Sequence, residues 1–235
     1  MNLALYATAP YPCGYLPEQE ARSQVATPIQ LINTNVYSAL VQQGFRRSGQ
    51  IVYRPWCNHC TACIPVRLPV NDFLPSRTQR RTWQRHQHLE VCEQPLVFNE
   101  AHYALYSSYL QTRHTKSGDT PEDYRQFLLT TQVNTRLIEF SENNIPRMLS
   151  VIDVLSDGLS AVYTFYDTTP ADNPRASYGT FGILWLIELC RTLELPYLYL
   201  GYWVKDSPKM AYKANFQPLE ALREGQWKPL LASKV

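Results

Sequence analysis

The stretch Gly179-Thr-Phe-Gly-Ile-Leu-Trp-Leu-Ile-Glu-Leu-Cys-Arg-Thr-Leu193, with Tyr197-Leu-Tyr-Leu-Gly-Tyr202 a few residues on, decides how the second half of the chain folds. Phe181, Ile183, Leu184, Leu186, Ile187 and Leu189 make residues 179–193 strongly apolar, which predicts a buried helix, and Tyr197–Tyr202 predicts a strand after it. Upstream, Thr135–Phe140, Arg147–Val154 and Ser160–Tyr166 are three β-type runs divided by Asn143-Asn144 and Asp157-Gly158, turn pairs that predict an antiparallel meander. Downstream, Ser207-Pro-Lys-Met-Ala-Tyr-Lys213 predicts a short helix with Pro208 in its first turn. Phe216-Gln-Pro-Leu-Glu220 then runs into a closing strand. The fold class is α+β.

The first half reads differently. Residues 6–32 are Pro-rich and polar without a lasting period, which predicts irregular structure with at most one short strand. Asn33 or Thr34 caps a helix carrying Val36, Tyr37, Leu40 and Val41, which Gly44 stops. Ile51–Arg54 and residues 64–70 predict strands, and between them stands Cys57-Asn-His-Cys-Thr-Ala-Cys63, with Cys13 alone upstream. Such spacing suits a metal, an iron–sulfur cluster or a reactive thiol. Ser76-Arg-Thr-Gln-Arg-Arg-Thr-Trp-Gln-Arg-His-Gln-His88 holds four Arg and no acid. It reads as a solvated surface helix or as a phosphate-binding face with Trp83 free to stack. A helix over Asn99–His114 turns Ala101, Ala104, Leu105, Tyr109 and Leu110 inward, and Thr120-Pro-Glu-Asp opens another through Leu129. His102 and His114 read as ordinary surface or satisfied histidines, and Cys92 and Cys190 as buried, inert thiols. We expect a basic, cysteine-containing N-terminal domain at 1–95 and a second domain at 96–235.

Composition narrows the function classes. With 45% hydrophobic residues and no run of 18 apolar ones, a membrane span is not expected. Met1-Asn-Leu-Ala-Leu-Tyr6 lacks a basic, apolar leader, so a cytoplasmic protein is expected, in which clustered cysteines mean metal or redox chemistry. Residues 1–90 carry nine Arg, no Lys and four acids, whereas the remainder is net acidic. The arginines point to a phosphate- or carboxylate-bearing partner on the N-terminal side.

Longer fragments carry a resemblance. Cys13-Gly-Tyr-Leu-Pro17, Gly44-Phe-Arg-Arg-Ser-Gly49, Tyr53-Arg-Pro-Trp-Cys57, Cys60-Thr-Ala-Cys-Ile-Pro-Val-Arg67 and Ser76-Arg-Thr-Gln-Arg-Arg81 occur in this order. Ser160-Ala-Val-Tyr-Thr-Phe-Tyr-Asp167, Tyr178-Gly-Thr180, Leu200-Gly-Tyr-Trp-Val-Lys-Asp-Ser-Pro-Lys-Met-Ala-Tyr-Lys213 and Phe216-Gln-Pro-Leu-Glu220 come after them. Together they closely resemble the bacterial aspartate/glutamate leucyltransferases, relatives of the arginyl-tRNA–protein transferases. The resemblance implies a GNAT-like acyltransferase domain at the C-terminus, which the element order also suggests. It implies transfer of leucine from leucyl-tRNA to proteins beginning with Asp or Glu, creating a degradation signal of the N-end rule pathway. Two departures stand out: arginyl-side relatives have Cys-x-x-Cys where this chain has Cys13-Gly-Tyr-Leu16, and Glu18-Gln19 replace a common Gly-Arg.

Aminolysis of an activated ester requires no cofactor. It needs positioning, an oxyanion donor and a proton for the leaving ribose oxygen. We therefore expect catalytic groups among Tyr178, Asp206, Lys209, Tyr212 and Lys213, with Asp167 as another proton acceptor. Substrate contacts are expected from Arg22, Arg67, Arg77, Gly179, Thr180 and Tyr202, and tRNA contacts from Arg46, Arg47, Arg54, Arg80, Arg81 and Arg85. Cys13, Cys57, Cys60 and Cys63 form a candidate set for structural zinc or an iron–sulfur cluster. Two other readings compete: a metal-containing nucleic-acid-binding module, and a CoA-dependent N-acetyltransferase. The latter wants a pyrophosphate loop whose glycine spacing Arg175-Ala-Ser-Tyr-Gly-Thr-Phe-Gly182 does not match.

Overall fold

The computed structural model describes residues 2–113, 118–168 and 176–230, so the histidine at 114 and the arginine at 175 lie outside the described residues. In chain order, β1 (Ala4–Ala7), β2 (Tyr11–Pro12), β3 (Glu20–Ala21) and β4 (Ser23–Thr27) precede α1 (Thr34–Gln42). Asn33 caps α1 as expected, its side chain accepting the Val36 amide at 3.0 Å. After β5 (Arg46–Ser48), β6 (Ile51–Pro55) and β7 (Ile64–Pro69) comes α2 (Arg77–His86), opened by a reciprocal capping box between Ser76 and Gln79. Next are β8 (Glu90–Gln94), α3 (Glu100–Arg113) and α4 (Pro121–Tyr124), the last capped by Thr120 and widening into a π-helical turn over Arg125–Leu129. The meander is β9 (Thr135–Glu142), β10 (Ile145–Val154) and β11 (Gly158–Tyr166). Its first turn places Asn143 and Asn144 at positive φ, as the sequence pair predicts. The chain closes with α5 (Tyr178–Thr192), β12 (Tyr197–Trp203), α6 (Pro208–Ala211), β13 (Glu220–Arg223) and β14 (Gln226–Pro229).

The result is a mixed α/β fold around an eight-stranded sheet ordered β14-β13-β7-β12-β11-β10-β9-β8. Alternation along the meander sets the layers. Ile138, Phe140, Met148, Ile152 and Leu159 point to one face, where α5 supplies Phe181, Leu184, Leu186 and Ile187. Leu137, Leu149, Val151, Val162 and Phe165 point to the other, covered by Tyr106, Leu110, Tyr124 and Leu128 of α3 and the following helix. The face of α3 is rotated from expectation: His102, Tyr106 and Leu110 are buried while Ala101 and Ala104 are exposed. The Tyr106–Tyr124 and Tyr106–Phe165 ring contacts offer more buried area than two alanines could. His102 is also buried, held by Glu139 at 2.6 Å, and Cys92 is exposed on the edge strand β8 instead of buried.

Residues from both sides of position 95 share the large sheet. β7 lies between β12 and β13, and β8 forms one edge, so a cut at residue 95 would divide the sheet. A separate four-stranded sheet, β1-β4-β6-β5, packs with α1 around Ala26, Tyr37, Leu40, Val41, Phe45 and Val52.

The large sheet has one irregularity. β11 and β12 are parallel neighbours, but pairing covers only Gly158–Ser160 against Tyr197–Tyr199. Beyond that point the ladder stops while β11 continues to Tyr166 and β12 to Trp203. The two strands splay into a wedge.

Candidate active site

The wedge is filled from the N-terminal side. Arg46 of β5 donates from Nη2 to the Val162 carbonyl at 2.8 Å, satisfying a β11 group beyond the β11–β12 ladder. Across from it, Gly201 of β12 adopts φ +71°, and a Cβ there would lie 2.8 Å from Arg46 Nη1. Glycine is required twice over, by the backbone and by the guanidinium against it. In place of the expected tRNA contact on an exposed face, Arg46 is half-buried between strands, 5.9 Å from the Tyr202 ring centroid.

Tyr202 and Lys213 complete this interior cluster. The Tyr202 hydroxyl donates to the Gly44 carbonyl at 2.9 Å, so it anchors α1 to β12 and only the ring is left for a substrate. Lys213, 5% exposed, donates from Nζ to the Tyr202 carbonyl. Burial, and after it the charge of neighbouring Arg46, lowers its pKa to about 7 against the opposing pull of Cys63. Burial also pushes the Tyr15 hydroxyl up to about 12, against the pull of Arg46, so it is a hydrogen-bond donor at neutral pH. Among the described residues no carboxylate forms an ion pair with Arg46 or Lys213.

A second group lies at the far end of β11, where α5 begins. Ser177 enters the helix at φ +54° with no side-chain cap, which leaves the first-turn amides of α5 for a ligand or water. Gly179 is not sterically forced, since a Cβ would meet the Tyr166 ring at 3.5 Å, an ordinary contact. Tyr178 stacks on His86 at 4.5 Å between centroids, and its hydroxyl pKa is raised by burial against the opposing charge of Arg147. Asp167 is ion-paired with Arg147 at 2.9 Å, and Arg147 also binds Glu142 at 3.1 Å. His86 donates from Nε2 to the Ala176 carbonyl, just before this turn, and burial lowers its pKa. His86, Arg147, Tyr15 and Tyr53 were not singled out from the sequence. The buried polar stripe Gln79, Thr82, His86 on one face of α2 was the available signal for the first.

The remaining predicted residues divide. Arg47 is 3% exposed and grips Asp153 at 2.7 and 2.8 Å, with Thr135 and Gly49 as further acceptors; it ties β5 to β10 and cannot meet tRNA. Arg67 is held by Glu220 at 2.7 Å and lies over the Tyr197 and Trp227 rings, so it braces the sheet and is not a substrate group. Arg54 is braced by Gln24 and lies over Phe45 and Trp56. On α2, Arg77, Arg80 and Arg81 are exposed and Arg85 half-buried, but Trp83 packs on Phe181 and is not free to stack. Asp206 and Lys209 are exposed around the start of α6. Tyr212, 42% exposed, is within electrostatic reach of Tyr166 and Arg46.

Above the interior cluster opens a cavity of about 550 Å³, walled by Tyr11, Tyr15, Arg22, Tyr53, Trp56 and Tyr202. Cys13, Cys57, Cys60 and Cys63 all line it, as does Leu16. Arg22 is fixed beside them by the Thr8 carbonyl and Asn58. The thiols converge, yet among the described residues no three Cys, His, Asp or Glu side chains are set to share a metal ion. Burial, reinforced by the other three cysteines, raises the Cys63 thiol to about 12.

Two family models match the chain in order. The family model described as arginine-tRNA-protein transferase, N terminus, matches residues 11–81, and its C-terminal counterpart matches residues 101–223. The aspartate/glutamate leucyltransferase of Nitrosospira multiformis is 56% identical over 232 residues, covering 97% of this chain and 91% of that one. The enzyme of the same name from Methylobacillus flagellatus is 53% identical, covering 97% and 92%. Among solved structures, the C-terminal domain of a putative lysylphosphatidylglycerol synthetase from Agrobacterium fabrum aligns with a TM-score of 0.45 at 11% identity, over 61% of this chain and 47% of that one. With both halves matched in order and relatives more than half identical across nearly the full length, the chain belongs to the arginine-tRNA-protein transferase family, alongside its aspartate/glutamate leucyltransferases.

Proposed function

We propose that the chain is an aminoacyltransferase moving leucine from leucyl-tRNA to the α-amine of proteins that begin with Asp or Glu. The single observation that carries this is the identity of more than half, over nearly the whole chain, to aspartate/glutamate leucyltransferases. The geometry agrees with it. A wedge between parallel strands, with an uncapped helix start at its open end, suits a GNAT-like acyl-transfer domain, and we read the large sheet in that way.

The chemistry asks little of the protein beyond placement. The α-amine, with an ordinary pKa near about 7.7–8.0, loses its proton readily and attacks the leucyl ester carbon. The carbonyl oxygen gains charge; first-turn amides of α5, at Gly179 and Thr180, and the Tyr178 hydroxyl are the proposed donors to it. The C–O bond to ribose then breaks and the ribose oxygen takes a proton, for which Tyr212 and Tyr178 are candidates. Asp206, exposed after the end of β12, is proposed to accept the amine's proton, and Lys209, exposed on α6, to donate one. Asp167, fixed by Arg147, is better suited to orienting the Tyr178 end. Arg77, Arg80 and Arg81 on the exposed face of α2 are proposed to hold tRNA phosphates, with Arg85 beside them.

The N-terminal leucine would act as a degradation signal, and a cytoplasmic location goes with that role; no described helix is long and apolar enough to cross a membrane. A structural zinc or iron–sulfur group on Cys13, Cys57, Cys60 and Cys63 is supported by their shared cavity alone. Metal analysis of anaerobically purified protein, beside Cys60→Ser, tests it.

The deciding assay incubates the protein with leucyl-tRNA and peptides beginning with Asp, Glu or Arg. Leucine should appear on the acidic peptides. Transfer to none of the three overturns the function, and transfer to the Arg peptide alone overturns the acceptor.

A further inference from the structure

Buried charge needs a partner. Taking a cation out of water without one costs several kcal/mol, and proteins retain such groups mainly where a ligand supplies the missing charge. Here two cations share one interior cluster. Arg46 spans the wedge with one hydrogen bond, to a neutral carbonyl. Lys213, at 5% exposure, has the Tyr202 carbonyl and the Met210 sulfur as its partners. The other interior arginines are matched by acid: Arg47 by Asp153 and Arg67 by Glu220. Among the described residues, none matches Arg46 or Lys213.

The cluster adjoins a cavity through shared neighbours. Tyr15, Tyr53, Cys63 and Tyr202 surround Arg46 or Lys213 electrostatically, and the same four line the 550 Å³ cavity. We propose that Arg46 and Lys213 form the carboxylate-reading floor of this cavity, and that the acidic side chain of the acceptor's first residue seats there. This names the acid-recognising residues of the leucyl-transfer reading and rests on that reading.

The alternative anion is a phosphate near the 3′ end of the tRNA, and three observations favour the carboxylate. The cavity is walled by the N-terminal strands and the cysteine loop, whereas the exposed arginines of α2 lie on the helix packed against α5. Its volume of about 550 Å³ lies in the range of small-molecule sites and admits the first few residues of a peptide terminus. Its wall includes Glu20, which would repel a polyanionic strand but tolerates a peptide terminus bearing an ammonium group. The Tyr15 hydroxyl in the same wall can add a neutral hydrogen bond to either anion.

The test compares two peptides that differ only in a charge, one beginning with Asp and one with Asn. Calorimetric binding without RNA and kcat/KM for leucine transfer are both measured, for wild type, Lys213→Met, Arg46→Met and Arg46→Lys. Lys213→Met and Arg46→Met should each lower affinity for the Asp peptide about 10- to 100-fold, as expected for losing one charge-assisted hydrogen bond, and leave Asn binding within about twofold. Arg46→Lys should recover part of the discrimination. If Arg46→Met does not fold, Lys213→Met decides alone, because it leaves the Arg46 bond to β11 in place. An Asp-to-Asn ratio unchanged in Lys213→Met and in any folded Arg46 variant overturns the site. So does a variant that keeps the ratio and loses leucyl-tRNA affinity, which would assign the cations to RNA phosphate. Wild type that prefers the Asp peptide in binding yet transfers no leucine would remove the transfer reading and leave the carboxylate site standing.

Discussion

Replacing Lys213 by Met should make the protein more stable at neutral pH while impairing its activity. The Nζ is almost wholly buried, and its pKa falls from an ordinary 10.5 to about 7, chiefly through desolvation. In the unfolded chain the amine binds its proton up to about pH 10; in the folded chain only to about pH 7. Between those values the unfolded state holds one more proton, so stability rises with pH across that window. The penalty is absent above the unfolded value and complete below the folded one. At roughly 1.4 kcal/mol per pKa unit, it is about 4 kcal/mol at pH 7 and between 1 and 2 kcal/mol near pH 9.5. Methionine removes this penalty but also the hydrogen bond to the Tyr202 carbonyl, a loss of about 1–3 kcal/mol when the acceptor stays buried. The net expectation is a gain of about 1–3 kcal/mol at pH 7 that vanishes or reverses near pH 9.5. Urea unfolding of both proteins from pH 6 to 9.5 measures it. A variant less stable than wild type at pH 6–7, or a difference independent of pH, would refute the reasoning.

Three further perturbations probe the same geometry. Gly201→Ala puts a methyl 2.8 Å from Arg46 Nη1 on a backbone at φ +71°; melting should show a loss of about 1–3 kcal/mol, and leucine transfer should fall with it. Arg47→Met strands the buried Asp153 carboxylate and should cost about 3–5 kcal/mol in denaturant titration, whereas Arg47→Met with Asp153→Leu should recover most of that. Arg80→Ala with Arg81→Ala should weaken leucyl-tRNA binding and leave the unfolding transition in place. The slope of log affinity against log salt should become shallower by roughly 0.7–0.9 for each phosphate that is no longer neutralised.

Local chemistry was legible in the sequence where the deciding neighbours are close along the chain. The Asn33 cap, the Ser76 box, the Asn143-Asn144 turn and the α5–β12 order all depend on residues a few positions apart, and all are present. The arginines are the opposite case. Whether one meets solvent, a carboxylate or a strand edge depends on partners far away: Asp153 lies 106 residues from Arg47, and Glu220 lies 153 from Arg67. Composition marked the N-terminal half as basic without separating the three cations of α2 that face water from those that brace sheets. Trp83 and the aromatic face of α3 were misread for a related reason, since an amphipathic period locates a stripe but not the rings waiting opposite it. The element order around β11, α5 and β12 was legible. That Arg46 enters the wedge between β11 and β12 from another sheet was not, because no periodicity in Gly44-Phe-Arg-Arg-Ser-Gly49 points across the molecule.

The place of β7 governs how the chain can be born. Ile64–Pro69 leaves the ribosome long before Tyr197–Trp203 and Glu220–Arg223, the two strands between which it must lie. Until both have emerged, its apolar residues Val66 and Leu68, each at most 1% exposed in the finished fold, have no sheet to join. Such distant pairing slows folding and leaves strand edges open to self-association. A truncated translation product would therefore carry a sticky, unpaired strand and not a usable half-enzyme. Attempts to express residues 96–235 alone should yield aggregates unless a peptide spanning residues 64–69 is supplied to fill the gap.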